Sequence, residues 1–376
     1  MSRPFKIAIV GAGPAGLYLA YLLKRKRRDA EVRVYEAGSA DATWGFGVVF
    51  SEQALEFLAD DDPETVAAIA PHMETWRDIT IFHRGERVVI DDIGFSAIGR
   101  LALLKLLQAR AASVGIRPEF ERTIHSLDEL GTVDLIVGAD GLNSVVRRAH
   151  EATFGTSIDY LDNRFAWYGT TQVFKTLSQT FMRAGDDVYN AHHYRFSPTM
   201  STFLVETDKT TFERRGFAQM SEGETRRELE RLFADTLQGH PLVDNRSIWR
   251  QFPWLQNKRW YADNCVLVGD ALHTAHFSIG SGTRLALEDV IALMSALEAS
   301  DYDVARALPA YQAAREPILA KLVAAAHRSA DWYENFRAHM ALSPKDFAMS
   351  YITRSGRIPP ERLRAMSPRF AALSQH

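Results

Sequence analysis

Apolar and polar residues follow two regimes along this chain, and the switches between them mark its elements. Ile7-Ala8-Ile9-Val10 is a continuous apolar run, interrupted by the glycines and proline of Gly11 to Gly16 and resumed as far as Leu23. A short apolar run ending at turn residues suits a strand buried on both faces, so residues 5–10 are predicted as a parallel strand. Pro14 to about Lys26 reads as the helix packed behind it. Glu31 to Tyr35 alternates and predicts a second strand ending at Glu36. These pieces form a βαβ unit of about thirty residues. Residues 50–58 read as a helix. Residues 79–82 and 87–90 flank Arg84-Gly85-Glu86 as the arms of a hairpin would. Leu103, Leu104, Leu107 and Ala111 place a helix over 100–113, followed by predicted strands at 115–120 and 133–137.

The middle of the chain changes character. Between Arg164 and about Glu206 lie short aromatic-rich stretches, among them Ala166-Trp167-Tyr168 and Ser201-Thr202-Phe203-Leu204-Val205. They predict a separate, mainly antiparallel sheet. Residues 225–237 form a charged amphipathic helix in this reading. Cys265 to Val268 returns to the buried parallel type, so the first fold closes late in the sequence. Helices are predicted over 285–297, 305–315 and 317–336, and the proline-containing remainder to His376 is expected to be a loose surface wrap.

Composition narrows the class. The 376 residues are 46% hydrophobic and 24% charged, an ordinary globular balance that argues against disorder. A net charge of −3 gives no electrostatic reason to expect nucleic acid or an anionic membrane as partner. A single cysteine, Cys265, excludes an intrachain disulfide framework and a cysteine-rich metal site, and it fits a cytoplasmic location. The apolar stretch from Ile7 to Leu23 contains glycines and a proline, which a strand-turn-helix unit explains and a membrane or secretory segment does not. Lys24-Arg25-Lys26-Arg27-Arg28 ends the first helix, where cations complement the dipole, and reads as a solvated face.

Two signatures at opposite ends of the chain carry the chemistry. The first is Gly11-Ala12-Gly13-Pro14-Ala15-Gly16, directly after the first strand. Gly11 permits the tight turn, Gly13 lets backbone approach a pyrophosphate, and Gly16 allows close helix–strand packing. The helix N-terminus offers unpaired N–H groups to the anion. Glu36, about twenty residues on, is placed to accept a hydrogen bond from a ribose hydroxyl. The second is Gly269-Asp270-Ala271-Leu272-His273, followed by Gly280-Ser281-Gly282 and Glu288-Asp289. Together they suggest one ligand long enough to touch both, and FAD has that length. There is no second glycine fingerprint behind a strand for a permanently held nicotinamide cofactor.

With the motif Gly138-Ala139-Asp140-Gly141-Leu142-Asn143-Ser144-Val145-Val146-Arg147 and Arg100 added, the chain resembles the single-component FAD-dependent aromatic hydroxylases typified by para-hydroxybenzoate hydroxylase. The resemblance covers residues 5–300. It implies an α/β fold: a Rossmann-like FAD-binding domain (GR2 type) interleaved with a mainly antiparallel substrate domain, then C-terminal helices. The expected boundaries are 1–75, 95–160 and 260–300 for FAD, 76–94 and 161–259 for substrate, and 301–376 for the helical segment. Expected cofactor contacts are Gly11, Gly13, Ala15, Gly16, Glu36, Arg100, Asp140, Gly269, Asp270, Gly280, Gly282 and Thr283. NADH or NADPH would reduce the flavin, O2 would add at its C4a carbon, and the distal oxygen would attack an electron-rich ring. No Trp-x-Trp-x-Ile-Pro segment of the halogenase kind is present.

The stretch His273 to Gly282 lacks the proline usual in that family. This form, with Trp167-Tyr168-Gly169-Thr170 and Thr199 to Phe203, is similar to two branches. One is the hydroxylase portion of the aryl-CoA monooxygenases; the other is the tryptophan-side hydroxylase of violacein biosynthesis. Gly45 to Ser51, Gly94-Phe95-Ser96 and Thr283 to Asp289 resemble the aryl-CoA branch more. The implied substrate is an aryl-CoA thioester, salicylyl-CoA going to gentisyl-CoA; a free indole-type intermediate is the second reading, a non-catalytic flavin-binding protein the third. Candidates for proton transfer are His276 first, then His192 and Tyr194. Trp167, Tyr168 and Phe203 are candidate pocket walls. No metal is expected, and the chain is read as a monomer or a homodimer.

Overall fold

The structure, a computed structural model, describes residues 3–51 and 55–373. Its first sheet grows outward from the N-terminal apolar run. Lys6–Val10 pairs in parallel with Glu31–Tyr35 on one side and Leu135–Gly138 on the other. Leu135–Gly138 pairs in parallel with Cys265–Leu267, and Tyr261–Ala262 adds a short antiparallel edge. Parallel strands cannot be joined by tight turns, so neighbours here come from distant parts of the chain. The helix Pro14–Lys26 is buried at every residue from Ala15 to Leu23. It needs that apolar girth because it is packed between the helices Arg100–Ser113 and Gly282–Ala299.

The second sheet has seven strands, in the order Leu242–Val243, Arg164–Thr170, Ser201–Thr207, Asp187–Arg195, Leu177–Ala184, Ile79–His83 and Glu86–Ile90. All its pairings are antiparallel except that of Leu177–Ala184 with Ile79–His83. The hairpin turns at Arg84 and Gly85, both at positive φ. A three-stranded sheet of Gly47–Ser51, Phe95–Gly99 and Glu74–Trp76 is interleaved with the other two in sequence and lends its first strand to the cleft described below.

Several expectations are corrected. Residues 50 and 51 end a strand, not a helix, because Val48 and Val49 pair with Ile98 and Ala97; residues 52–54 lie outside the described residues, and helix covers only Glu56–Ala59. The predicted strand at 115–120 reduces to one bridge between Glu119 and Tyr35. Just beyond it the chain turns at Glu121, which takes φ +56°, so the ladder does not lengthen. The two helices predicted around Pro317 are one, Val304–Glu334, with Pro309 and Pro317 inside it. Tyr311, Arg315 and Leu319 are buried along it, and that packing outweighs the roughly 3 kcal/mol local penalty of an interior proline.

The largest correction concerns the C-terminus, which is no loose wrap. Pro344, Pro360 and Pro368 each open a helix: Pro344–Thr353, Pro360–Met366 and Pro368–Leu373. Proline at a helix start loses no hydrogen bond and arrives with its φ already set. Phe347, Tyr351, Leu363 and Phe370 from these helices share one core with Trp76, Ile79, Ile81 and Phe181. Asp91 ties the end of the chain down, accepting from the backbone N–H of Phe370 at 2.8 Å.

Candidate active site

The glycine turn is shaped by backbone collisions. Gly11 sits at φ +104°, and any Cβ there would overlap the Ala139 carbonyl; a Cβ on Gly16 would overlap the Gly11 carbonyl. Gly13 meets nothing within 4 Å, so its backbone faces open space that a side chain would fill. The helix beginning at Pro14 has no side-chain cap and no acid in its first turn. Its first N–H groups and positive dipole end therefore point at the cleft uncompensated. At its other end the basic run is engaged: Lys24 on the Ala30 carbonyl, Arg25 on Asp62 and Lys26 on Glu298.

Glu36 lies in the same cleft. Its Oε2 accepts from the Ala12 N–H at 2.8 Å and its Oε1 from the Gly38 N–H at 2.7 Å. Those two bonds fix the carboxylate and leave further lone pairs for a hydroxyl.

The Asp140 and Asp270 turns meet below the glycine turn. Asp140 Oδ2 accepts from the Val145 N–H at 2.7 Å, while Oδ1 is buried with no partner. Burial pushes this carboxyl above its usual range, against the pull of Ser144. Arg147, the last residue of the Gly138-to-Arg147 motif, joins the two turns: its guanidinium donates to the Ala271 carbonyl at 3.0 Å and to the Leu142 carbonyl. Asp270 opens onto the cleft, yet the surrounding protein raises its carboxyl, with His273 and Arg100 pulling the other way. Gly269 holds φ +60° beneath it, and its N–H donates to Asp289.

Asp289 anchors this turn to the helices behind. It accepts from His273 Nε2 at 2.8 Å and from Arg315 Nε at 2.9 Å, and Arg315 also pairs with Glu288 at 2.8 Å. Burial pushes Asp289 up, but the charges and hydrogen bonds of His273 and Arg315 outweigh it and hold the carboxyl low. Nothing local in the sequence marks Arg315, because its partner lies a helix away. Gly280 turns at φ +58° against Val49, and the helix Gly282–Ala299 then starts with neither a side-chain cap nor an acid in its first turn. Gly280, Gly282 and Thr283 line the cleft, so two uncapped helix N-termini converge on it.

The cleft has a volume of about 680 Å³ and continues from the glycine turn to an aromatic chamber. Phe165, Trp167, Tyr194, Phe252 and Phe277 line that end, with Val48 and Val49. The Arg100 guanidinium lies 5.5 Å from the Trp167 ring centre. Among the described residues no carboxylate is within ion-pair distance of it, and burial lowers its pKa. Tyr194 donates to the Gly47 carbonyl at 3.0 Å, and burial pushes its hydroxyl up to about 12.

The structure does not bring the other proton-transfer candidates to the cleft lining. His276 is 2% exposed, and its Nδ1 pairs with Ser278 Oγ at 2.8 Å in the turn it caps. Burial, helped by the Arg354 charge, pushes it down to about 3. His192 is bonded to Tyr333 Oη at 2.9 Å, and burial lowers it well below the ordinary imidazole range. Tyr168 and Phe203, expected as walls, point to the opposite side of the sheet and pack with Tyr189 and Phe233. Strand alternation explains this: Trp167 and Tyr168 are neighbours and cannot share a face.

A long ligand with a diphosphate and sugar hydroxyls fits this outline. It would meet uncapped helix ends at Gly13 and Gly282, acceptors at Glu36 and Asp270, the partnerless oxygen of Asp140 and the unpaired Arg100. FAD is such a ligand.

Comparison with known proteins agrees. Residues 121–326 match the family described as "FAD binding domain", and residues 9–50 match the "NAD(P)-binding Rossmann-like domain". Salicyloyl-CoA 5-hydroxylase from Streptomyces is 39% identical, over 93% of this chain and 70% of its own length. The 3-hydroxy-4-methyl-anthranilyl-[aryl-carrier protein] 5-monooxygenase of Streptosporangium sibiricum is 36% identical, over 87% of this chain and 89% of its own. Protodeoxyviolaceinate monooxygenase of Chromobacterium violaceum is 32% identical, over 94% and 96%. Among solved structures, P. aeruginosa PqsL with 2-aminobenzoylacetate superposes with TM-score 0.70 at 22% identity, covering 90% of this chain and 98% of that one, a likeness of fold. No described helix is long and apolar enough to cross a membrane. By its family match, its relatives and the cleft that joins its two signatures, the chain belongs to the FAD-dependent aromatic hydroxylases, with NAD(P)H as electron donor.

Proposed function

We propose that this chain hydroxylates the ring of an aryl-CoA thioester, taking salicylyl-CoA to gentisyl-CoA. The observation that carries the reading is the 39% identity, across nearly the whole chain, to an enzyme named for salicyloyl-CoA. A second relative is named for an aroyl group joined to a carrier, and the cleft ends in an aromatic chamber that suits a ring. The violacein-type relative keeps a free natural-product substrate as the second reading.

FAD reduced by NAD(P)H supplies the activation of O2. The chain's part is to hold, orient and exclude water. Glu36 and Asp270 are proposed to accept from the cofactor's hydroxyls, the Gly13 and Gly282 helix ends to face its negative groups, and Arg100 and Asp140 to fill out the contact. Ala15, Gly269, Gly280 and Thr283 shape the walls by their small size. Phe165, Trp167, Phe252 and Phe277 sandwich the ring and keep water out. Tyr194 stays protonated at neutral pH and gives its one proton to the Gly47 carbonyl, so toward the ring's substituent it acts as a fixed acceptor and not as a base. We assign His276 and His192 to positioning, since both are neutral and neither reaches the cleft lining. The domain boundaries predicted from sequence, a cytoplasmic location and a monomer or homodimer complete the proposal; the buried lone Cys265 supports the location.

NADH oxidation by FAD-loaded protein, with mass analysis of product, compares salicylyl-CoA with free salicylate. Faster oxidation and one added oxygen on the thioester alone support the reading. Turnover of the free acid but not the thioester overturns it.

A further inference from the structure

At the mouth of the cleft an exposed tryptophan carries two arginines. Trp44 lines the cleft and is 50% exposed. The guanidinium carbon of Arg246 lies 4.2 Å from its ring centre and that of Arg250 lies 5.2 Å. Among the described residues neither arginine has a carboxylate within 4.0 Å. The hydrogen bond that links them runs from Arg250 Nη2 to the Arg246 carbonyl at 3.4 Å. The contrast with Lys24, Arg25 and Lys26, each engaged by an oxygen, is plain.

Two like charges gathered on one ring repel each other, and the π face of an exposed ring offsets this only weakly. The surrounding chain nevertheless holds them there. Asn245 donates to the Gly45 carbonyl at 2.8 Å and the Thr43 carbonyl at 3.2 Å, pinning the Trp44 loop to the arginine loop. Ser247 Oγ donates to the Trp167 carbonyl at 2.5 Å, and Arg250 exchanges backbone bonds with Phe165, both on a strand that walls the cleft. Arg246 adopts φ +56°, a left-handed conformation that costs a residue with a side chain. A strained, braced and unpaired pair of guanidinium forks suits an anion with several oxygens on adjacent centres.

We propose that Arg246 and Arg250, shelved on Trp44, dock the diphosphate of an adenine nucleotide whose far end enters the cleft. Coenzyme A and the nicotinamide donor both carry that group. The coenzyme A source rests on the aryl-CoA reading above; the docking site itself does not.

The test uses the FAD-loaded full chain and the Arg246→Ala/Arg250→Ala variant, with Arg246→Gln alone as a milder second variant. Both side chains are exposed, and circular dichroism checks the fold. Coenzyme A and NADH are each titrated by calorimetry at low and high salt, NADH into chain whose flavin is already reduced and kept free of O2, so binding is read without turnover. The expected result is a rise of about tenfold or more in Kd for one of them, with a flatter salt dependence. A rise for coenzyme A, with KM unchanged for the pantetheine thioester that lacks the diphosphate, assigns the site to the substrate. A rise for NADH assigns it to the donor. Wild-type Kd values for both ligands at both salts overturn the proposal. If the wild type turns over no thioester, the aryl-CoA reading fails while the titrations still decide the docking site.

Discussion

The two ends of the cleft are built by different means. The glycine end is made of backbone: Gly11 and Gly16 are placed where the chain crosses itself, and the groups offered to a ligand are N–H groups and short acids. The aromatic end is made of side chains from strands and loops far apart in sequence, Phe165 and Trp167 with Tyr194, Phe252 and Phe277. Backbone crossings tolerate no added atom, whereas a side-chain wall can be remodelled one residue at a time. A family can therefore keep its cofactor while changing its substrate.

The largest expected effect comes from breaking a crossing. Gly16→Val places a branched side chain on the Gly11 carbonyl, and we expect about 3 kcal/mol or more of destabilisation with loss of bound flavin. Denaturant midpoints and the flavin-to-protein absorbance ratio measure both; retained flavin at a normal midpoint would refute the backbone account of this end.

Asp289→Asn tests the brace beneath the Asp270 turn. It removes the charge facing buried Arg315 and His273, at a cost of about 3 kcal/mol reduced by the remaining Glu288 pair. The pH dependence has a definite sign. Asp289 is held below its ordinary carboxylate value, so its contribution is present above about pH 4. It is lost as pH falls through the folded value. The variant should lose less stability than the wild type over that acid range, as urea unfolding at stepped pH would show.

The smallest effects sharpen the aromatic end. His276→Asn should lower kcat far less than the roughly 10²–10⁴-fold expected on losing a general base, because the imidazole caps a turn away from the cleft lining. Tyr194→Phe should raise KM several-fold with little change in the pH profile of kcat, since a hydroxyl near 12 does not titrate in the working range. A 10²-fold or greater loss with His276→Asn would restore it as the base.

How legible each part is in the sequence follows from how local its cause is. The glycine turn, the helix after it and Glu36 lie close together along the chain, so their spacing alone announces them. Helix Arg100–Ser113 and the hairpin at Arg84-Gly85 are legible for the same reason. Tyr168 and Phe203 belong to the far face, which the residues do not reveal, because an aromatic strand residue looks alike on either face until the sheet's partner layers are known. His276 stands near the Gly269 turn in sequence, which favours it as a base, but burial turns its ring inward.

The residues alone determined the βαβ unit, the two acid-and-glycine signatures and the class of cofactor, because each depends on steric and hydrogen-bond demands met within a few residues. Only the tertiary structure decided that Arg147 and Arg315 clamp the cradle. It also decided that the C-terminal helices close the core beneath the second sheet, and that Trp44 gathers Arg246 and Arg250 at the cleft mouth. Those depend on which surfaces meet across hundreds of residues. Burial sets the value of a charge or a ring only once its neighbours are in place.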